Sequence, residues 1–371
     1  MNKLYRIFLQ TKTIRRLILV CSFTFALMIS GCSAGWEIAN PYEKVEWDIH
    51  QRFKANFHAH TTCSDGRLNP QTVVDKYHRL GYRILAITDH NRITYPWTDF
   101  AEMEPSERSK ERLEKGEINQ EALVYENRDP FVLGMISVQG NEISTPHHVG
   151  SYFSDYNQRS EQEEIAFAST ESSKGIAVIN HPGRYTSENP KKYNANWYID
   201  ILTRFDHLVG MEIYNQADRY PTDRQSWDSV LVDLMPDRPV WGFANDDFHG
   251  DLNKLGVSWN VLILPELTEE WVRRGMKEGR FFYVHAVEGH QGHKPPNIES
   301  IKVSNRKGTI EIQVKGEDSI RWISNGRVVQ RGNVIRLGKI PKIFGYVRAE
   351  IFGPGTIIGT QPFGIVDSEN K

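Results

Sequence analysis

Side chains able to bind metal stand directly behind most of the short apolar runs, and this placement constrains the fold more than any other feature of the 371-residue chain. Asn56-Phe57 leads into His58, Ala59 and His60. Ile84–Thr88 ends in Asp89 and His90. Ile136–Val138 runs on to Glu142, and His147 and His148 begin the next apolar stretch. Ile176–Asn180 ends in His181, and Val240–Asn245 ends in Asp246, Asp247, Phe248 and His249. At the ends of parallel barrel strands all of these positions share one rim. Half or so of the 13 histidines would then meet in one place. A buried cluster of imidazoles and carboxylates is costly unless something compensates it, and divalent cations do so. Mixed nitrogen and oxygen donors suit Zn²⁺ or Mn²⁺. Strand alternation places His58 and His60 on one face, where both reach one ion, and Asp247 with His249 does the same if the chain is extended there. So many donors exceed the four of a structural ion and imply two or three ions with room for water.

The apolar runs Ile84–Ile87, Val132–Val138, Ile176–Ile179, Leu208–Ile213 and Val240–Ala244 are separated by helix-length segments. Such runs predict buried parallel strands, and hence an α/β barrel or an open sheet. Asn69-Pro70 supplies an N-cap and a first-turn proline. Val73, Val74, Tyr77 and Leu80 then line one helix face, and Gly81 ends it. Asp99–Glu126 is strongly charged and predicts a surface insertion containing a helix. After Lys294 the pattern shifts to short alternating stretches between glycine turns, which predicts a small antiparallel β domain. Within it, Gly345–Ile351 with Thr360–Phe363 is open to a second reading, as an edge packed on the barrel.

The first 31 residues carry Lys3, Arg6, Lys12, Arg15 and Arg16 and no acid, followed by an apolar run ending in Leu27–Gly31 before Cys32. The run is short for a spanning helix and fits a signal peptide. Its end resembles the lipobox of bacterial lipoproteins, with Cys32 as the lipidated residue. The expected location is therefore membrane-anchored, periplasmic or at the cell surface, with an outer membrane favoured because no Asp follows Cys32. Loss of the five basic residues leaves 40 basic against 47 acidic residues, about −7 in all. That balance argues against a nucleic-acid partner. Only Cys63 then remains, so no disulfide braces the chain.

The segment His58–Gly66, HAHTTCSDG, resembles the first motif of the PHP (polymerase and histidinol phosphatase) family of metal-dependent phosphoesterases. Thr88-Asp89-His90, Gly140-Asn141-Glu142, His148-Val149, Asn180-His181-Pro182 with Arg184, and Asp247-Phe248-His249 follow in the family's order. Residues 256–283 and the C-terminal β region look like a branch that includes carbamate hydrolases. The chain is thus expected to divide into a signal peptide at 1–31, a tether at 32–52, a hydrolase domain with extension at 53–293 and a small β domain at 294–371, and the resemblance implies a distorted (β/α)7 barrel for the hydrolase domain. It also implies two or three divalent ions (Zn, Mn or Fe). His58, His60, Glu142 and Asp247 would hold one, Glu142 with His148 and His181 a second, and Asp65, His90 and His249 a third. His147 stands beside His148, and a one-residue shift would exchange them. Arg184 would fork a substrate phosphate, and Asp247 or His249 would protonate the leaving oxygen. Asp89 and Glu212 would orient ligand histidines, while Cys63 and Ser64 would shape the loop.

The expected activity is hydrolysis of a small phosphate mono- or diester by metal-activated hydroxide. Two alternatives remain: hydrolysis of a carbamate, carboxyl ester or amide at the same centre, and a non-catalytic surface lipoprotein that binds glycans.

Overall fold

Asn69 starts a helix for the reason its sequence predicts. Its side chain accepts from the Thr72 amide (3.0 Å), Pro70–Arg79 is helical, and Gly81 leaves the last turn at φ +81°. Val73, Val74 and Tyr77 on its inner face are fully buried. This computed structural model describes residues 35–368. The expected signal peptide and Cys32 lie outside them. No helix among the described residues is long and apolar enough to cross a membrane.

The chain is a mixed α/β protein with sheets of eleven, five and three strands among the described residues. Gln51–Asn56, Tyr82–Ala86 and Ile136–Val138 run parallel in the largest sheet, and Ile176–Ile179, Leu208–Asn215 and Trp241–Asn245 run parallel in the second. Antiparallel strands interrupt both groups. Gly140–Ile143 and Val149–Tyr152 precede the second group, while Ser258–Leu264 and Phe281–Ala286 extend the first. The expected (β/α)7 barrel is corrected accordingly: no continuous ladder closes these sheets into a barrel among the described residues.

The seam explains why. Between Trp241–Asn245 and its neighbours, side-chain amides take the place of a strand. Asn260 accepts from the Ala244 amide (3.1 Å) and donates to its carbonyl (2.8 Å), and Gln361 does the same for Gly242 (2.8 and 2.9 Å). Asn245 Oδ1 accepts from the Phe57 amide (2.9 Å). Buried peptide groups must be paired somewhere, and here polar side chains pair them. Asn260→Ala would strand two buried backbone groups. We expect it to lower unfolding free energy by about 2–4 kcal/mol, read as a shift in the urea midpoint; a loss under about 0.5 kcal/mol would mean that packing alone holds the seam.

Three local expectations change. Asp129 caps a short helical turn, Pro130–Leu133, by accepting from the amides of Phe131 and Val132, and Gly134 ends it at φ +60°. Only Ile136–Val138 of the expected 132–138 strand is therefore extended. The 32–52 tether includes a strand, Trp36–Ala39, paired with Phe363–Asp367. Tyr42 within it is buried, donating to the Phe281 carbonyl (3.0 Å) and accepting from the Gln361 amide (2.8 Å). In the C-terminal region, Asn297–Ser304, Thr309–Lys315 and Val334–Arg336 form the small sheet. Ser319–Ser324, Tyr346–Gly353, Thr356–Gly359 and Phe363–Asp367 instead continue the largest sheet, through Thr356–Gly359 against Phe281–Ala286. The charged insertion does carry a helix, Glu107–Glu114, and is pinned by the buried Trp97 and Phe100.

Candidate metal centre

All nine sequence-predicted ligands converge. The strand ends bring them together: Ala59 bridges to Phe248 and His90 to Glu142, so the first, second, third and last motifs share one rim. His58 Nε2 and His60 Nε2 lie 3.0 Å apart, and each is 3.2 Å from Asp247 Oδ1 and 3.4 Å from Glu142 Oε2. Donors at about 2.05 Å from a tetrahedral cation stand about 3.3 Å apart. Five of the six edges of such a tetrahedron are thus present. Glu142 is 99% buried and turns its other oxygen to a second group: Oε1 is 3.1 Å from His148 Nδ1 and 3.0 Å from His181 Nε2. A third group surrounds Asp65 Oδ1, with His249 Nε2 at 3.3 Å and His60 Nδ1 and His90 Nε2 at 3.6 Å.

Hydrogen bonding accounts for the His58–His60 and His181–Glu142 contacts but not for the rest of this closeness. Asp65 Oδ1, Asp247 Oδ1 and His148 Nδ1 are buried and have no hydrogen-bond partner among the described residues, although donors or acceptors lie within 3.1–3.3 Å. Atoms that crowd without hydrogen-bond geometry fit the donors of a shared cation. The residues present therefore suit divalent metal. Charge supports the same fit. Burial disfavours a charged imidazole, yet Asp247, Glu212 and Glu142 more than offset this and hold His58 well above its ordinary pKa. His60 is pushed up to about 10 by Asp247, Glu142 and Asp65 against the same burial. Protons balance the carboxylates in the absence of cations, so cation binding must release protons and weaken as pH falls.

A further layer aims the ligands. His58 Nδ1 contacts Glu212 Oε1 (2.9 Å), which leaves Nε2 free for a cation. Glu212 in turn accepts from Asn245, Asn215 and the His181 amide (2.9, 3.0 and 2.9 Å). His181 and Asp247 occupy the left-handed region, at φ 31° and 45°. Such conformations disfavour residues other than glycine and recur at functional sites.

Similar structures were found only by fold comparison; no family model matches the chain, nor does any curated protein. A two-domain protein from Bacteroides vulgatus containing a predicted PHP-like metal-dependent phosphoesterase is 17% identical, with TM-score 0.47, over 86% of this chain and 88% of that one. PsfC from Pseudomonas syringae is 15% identical with TM-score 0.35, covering 58% of this chain and 84% of its own. An amidohydrolase from Chromobacterium violaceum, solved with sulfate and no metal, is 14% identical with TM-score 0.37, covering 61% and 96%.

One role differs from the sequence reading. The Asp89 side chain makes no hydrogen bond to a histidine among the described residues. It accepts from the Thr61 amide and hydroxyl, Ser64 and Thr94 at 2.6–2.7 Å, tying down the loop that carries His60 and Asp65. Cys63 is buried within that loop, and burial with the nearby Asp89 pushes its thiol up to about 11, far from a reactive thiolate. Arg184 lies on the helix Pro182–Glu188 at the cleft and pairs with Glu188 (3.1 Å). Gln216, Arg219 and Tyr220, which carry no motif of their own, also line the cleft. They directly follow the strand Leu208–Asn215, so the same strand-end rule points to them.

His147 and His148 separate cleanly. His148 faces Glu142, whereas His147 is fully buried among Tyr185, Tyr193, Trp197 and Tyr198, with its Nε2 3.1 Å from the Tyr198 hydroxyl. Burial holds His147 well below its ordinary 6.5. The unfolded chain therefore binds a proton below pH 6.5 that the folded chain refuses, so stability is full above that pH and falls as pH drops. We expect His147→Phe, measured metal-free, to flatten the loss by up to about 1.4 kcal/mol per pH unit. Equal slopes in both proteins would refute this role.

Proposed function

We propose that this protein is a metal-dependent hydrolase of small phosphate esters. The carrying observation is the division of one buried carboxylate between two donor groups, Glu142 Oε2 toward His58 and His60 and Oε1 toward His148 and His181. When bound, two cations sharing Glu142 would lower the pKa of water and polarise the attacked phosphoryl group. Arg184 binds phosphate oxygens at the cleft edge, where a guanidinium makes paired hydrogen bonds. Asp247 has little freedom to donate, because its Oδ1 faces the two histidines and its Oδ2 accepts from Gln216 (2.9 Å). His249 is better placed to supply the leaving oxygen with a proton. Its Nδ1 is 2.8 Å from the Asp247 carbonyl, and its Nε2 shares the mouth with Asp65. Arg108 lies 3.3 Å from Asp65 Oδ2 and adds positive charge there, which favours a proton over a third cation.

The proposal includes attachment at Cys32 to a membrane outside the cytoplasm, read from the sequence. Release of phosphate or alcohol from aryl phosphate esters by the metal-loaded protein tests the activity, and inactivity on both mono- and diesters would overturn it. Hydrolysis of a carbamate or carboxyl ester is the second reading, because the same donor groups serve both. Arg184→Ala separates them. A phosphate enzyme should show KM raised at least about ten-fold, the value of a charged hydrogen bond, whereas cleavage of a neutral ester should change less than about two-fold.

A further inference from the structure

The cleft carries a cation at its mouth that no carboxylate neutralises. Arg219 is exposed and forms no ion pair among the described residues; its Nη1 donates to Gln216 Oε1 (2.9 Å). Its neighbours behave differently. Arg184 pairs with Glu188 at 3.1 Å and Arg224 with Asp218 at 2.6 Å.

Arg219 is also expensively placed. It follows three consecutive residues in the left-handed region, Gln216, Ala217 and Asp218, at φ 46°, 60° and 65°. A run of that kind is disfavoured for any residue with a Cβ. Two contacts hold it: Arg224 forks Asp218 at 2.6 and 3.1 Å, and the Arg219 amide donates to the Asn215 carbonyl at 3.0 Å. The turn thereby directs Gln216 at Asp247 Oδ2 (2.9 Å) and sets Arg219 on the wall of the cleft that Arg184 also lines.

The cleft has a volume of 160 Å³. Sites that enclose a whole small molecule run from about 300 to 1,000 Å³, so this one admits the reacting group and leaves the remainder outside. A terminal phosphate enters such a space with one arm trailing, whereas a diester must lead two arms out. We infer that Arg219 is a second anion-binding residue and that, with Arg184, it selects a terminal dianionic phosphate, a phosphomonoester. This inference rests on the hydrolase reading above for its chemistry, though not for its binding test.

The test is calorimetric titration of the full, cation-loaded chain with inorganic phosphate and with dimethyl phosphate, alongside kcat/KM for phenyl phosphate and methyl phenyl phosphate. Arg219→Ala should weaken inorganic phosphate about ten- to a hundred-fold and dimethyl phosphate less than about three-fold. Arg219→Lys should fall between, since it keeps the charge and loses the fork. Equal weakening of both probes, or of neither, would overturn the inference. If phosphate binds through Arg219 while no ester is cleaved, the inference stands and the hydrolase reading falls. If diesters are cleaved as well as monoesters and Arg219→Ala changes nothing, the hydrolase reading stands and the inference falls.

Discussion

Replacing Glu142 by Gln is expected to reduce turnover by at least about a thousand-fold, since changes that only support a ligand already cost about 10–100-fold. The expectation follows from the position of the side chain. Both oxygens are engaged, one by His58, His60 and His90 and the other by His148 and His181, within 3.4 Å in every case. An amide of the same shape halves the donors, removes the charge and leaves an NH₂ facing imidazole nitrogens. The variant should also lose at least one cation per chain, measured by elemental analysis of the sample used for kinetics. Burial alone would raise the Glu142 pKa, but the charges of His148, His58 and His90 hold it well below its ordinary value. The carboxylate is therefore ionised at neutral pH and able to serve as a ligand. Turnover within about ten-fold of the parent, with cation content unchanged, would exclude Glu142 as a shared ligand.

The second large effect concerns stability. Arg348 on the strand Tyr346–Gly353 is 98% buried and meets helix Thr222–Leu234 through Asp228, with Nε–Oδ1 at 2.9 Å and Nη2–Oδ2 at 2.7 Å. Its Nη1 donates to Glu350 Oε1 at 2.6 Å, and Tyr346 donates to Asp228 at 2.6 Å. Burial raises the Glu350 pKa, yet Arg348 and Arg321 more than offset this and lower it. Its contribution to stability is therefore present above its unfolded pKa and lost as pH falls toward the folded one. Arg348→Met leaves Asp228 buried without a cation and Glu350 with Arg321 alone, and should cost about 3–5 kcal/mol, read from the urea midpoint at pH 7. Arg348→Lys keeps the charge without the fork and should cost less. A Met variant within about 1 kcal/mol of the parent would show that the cluster is solvated rather than structural.

Much of the centre was legible because chemistry and topology coincide. His58, His60, His90, Glu142, His181, Asp247 and His249 stand where apolar runs end, and strand ends converge. The helix Pro70–Arg79 was legible through Asn69, Pro70 and Gly81, whose effects are local. What escaped depends on distant pairing. The strand Trp36–Ala39 exists because Phe363–Asp367 lies beside it, and nothing near Trp36 announces that partner. The open seam depends on Asn260 and Gln361 acting as strand edges, which polar residues inside apolar stretches do not advertise. Phe131 and Val132 misled differently: they are apolar yet 91% and 78% exposed, because Asp129 and Gly134 enforce a turn around them. Those turn residues were visible in the sequence and outweigh hydrophobicity there. Gln216 and Arg219 escaped because neither is a metal donor and the turn that brings them to the cleft depends on Arg224 forking Asp218.

The most direct measurement is metal stoichiometry joined to activity: elemental analysis of the full chain before and after chelation, with ester hydrolysis followed in the same samples and after Zn²⁺ or Mn²⁺ is restored. The account predicts two or more transition-metal ions per chain, turnover that disappears as they are removed, and recovery on reloading. A preparation with fewer than one ion per chain that keeps full turnover would contradict it.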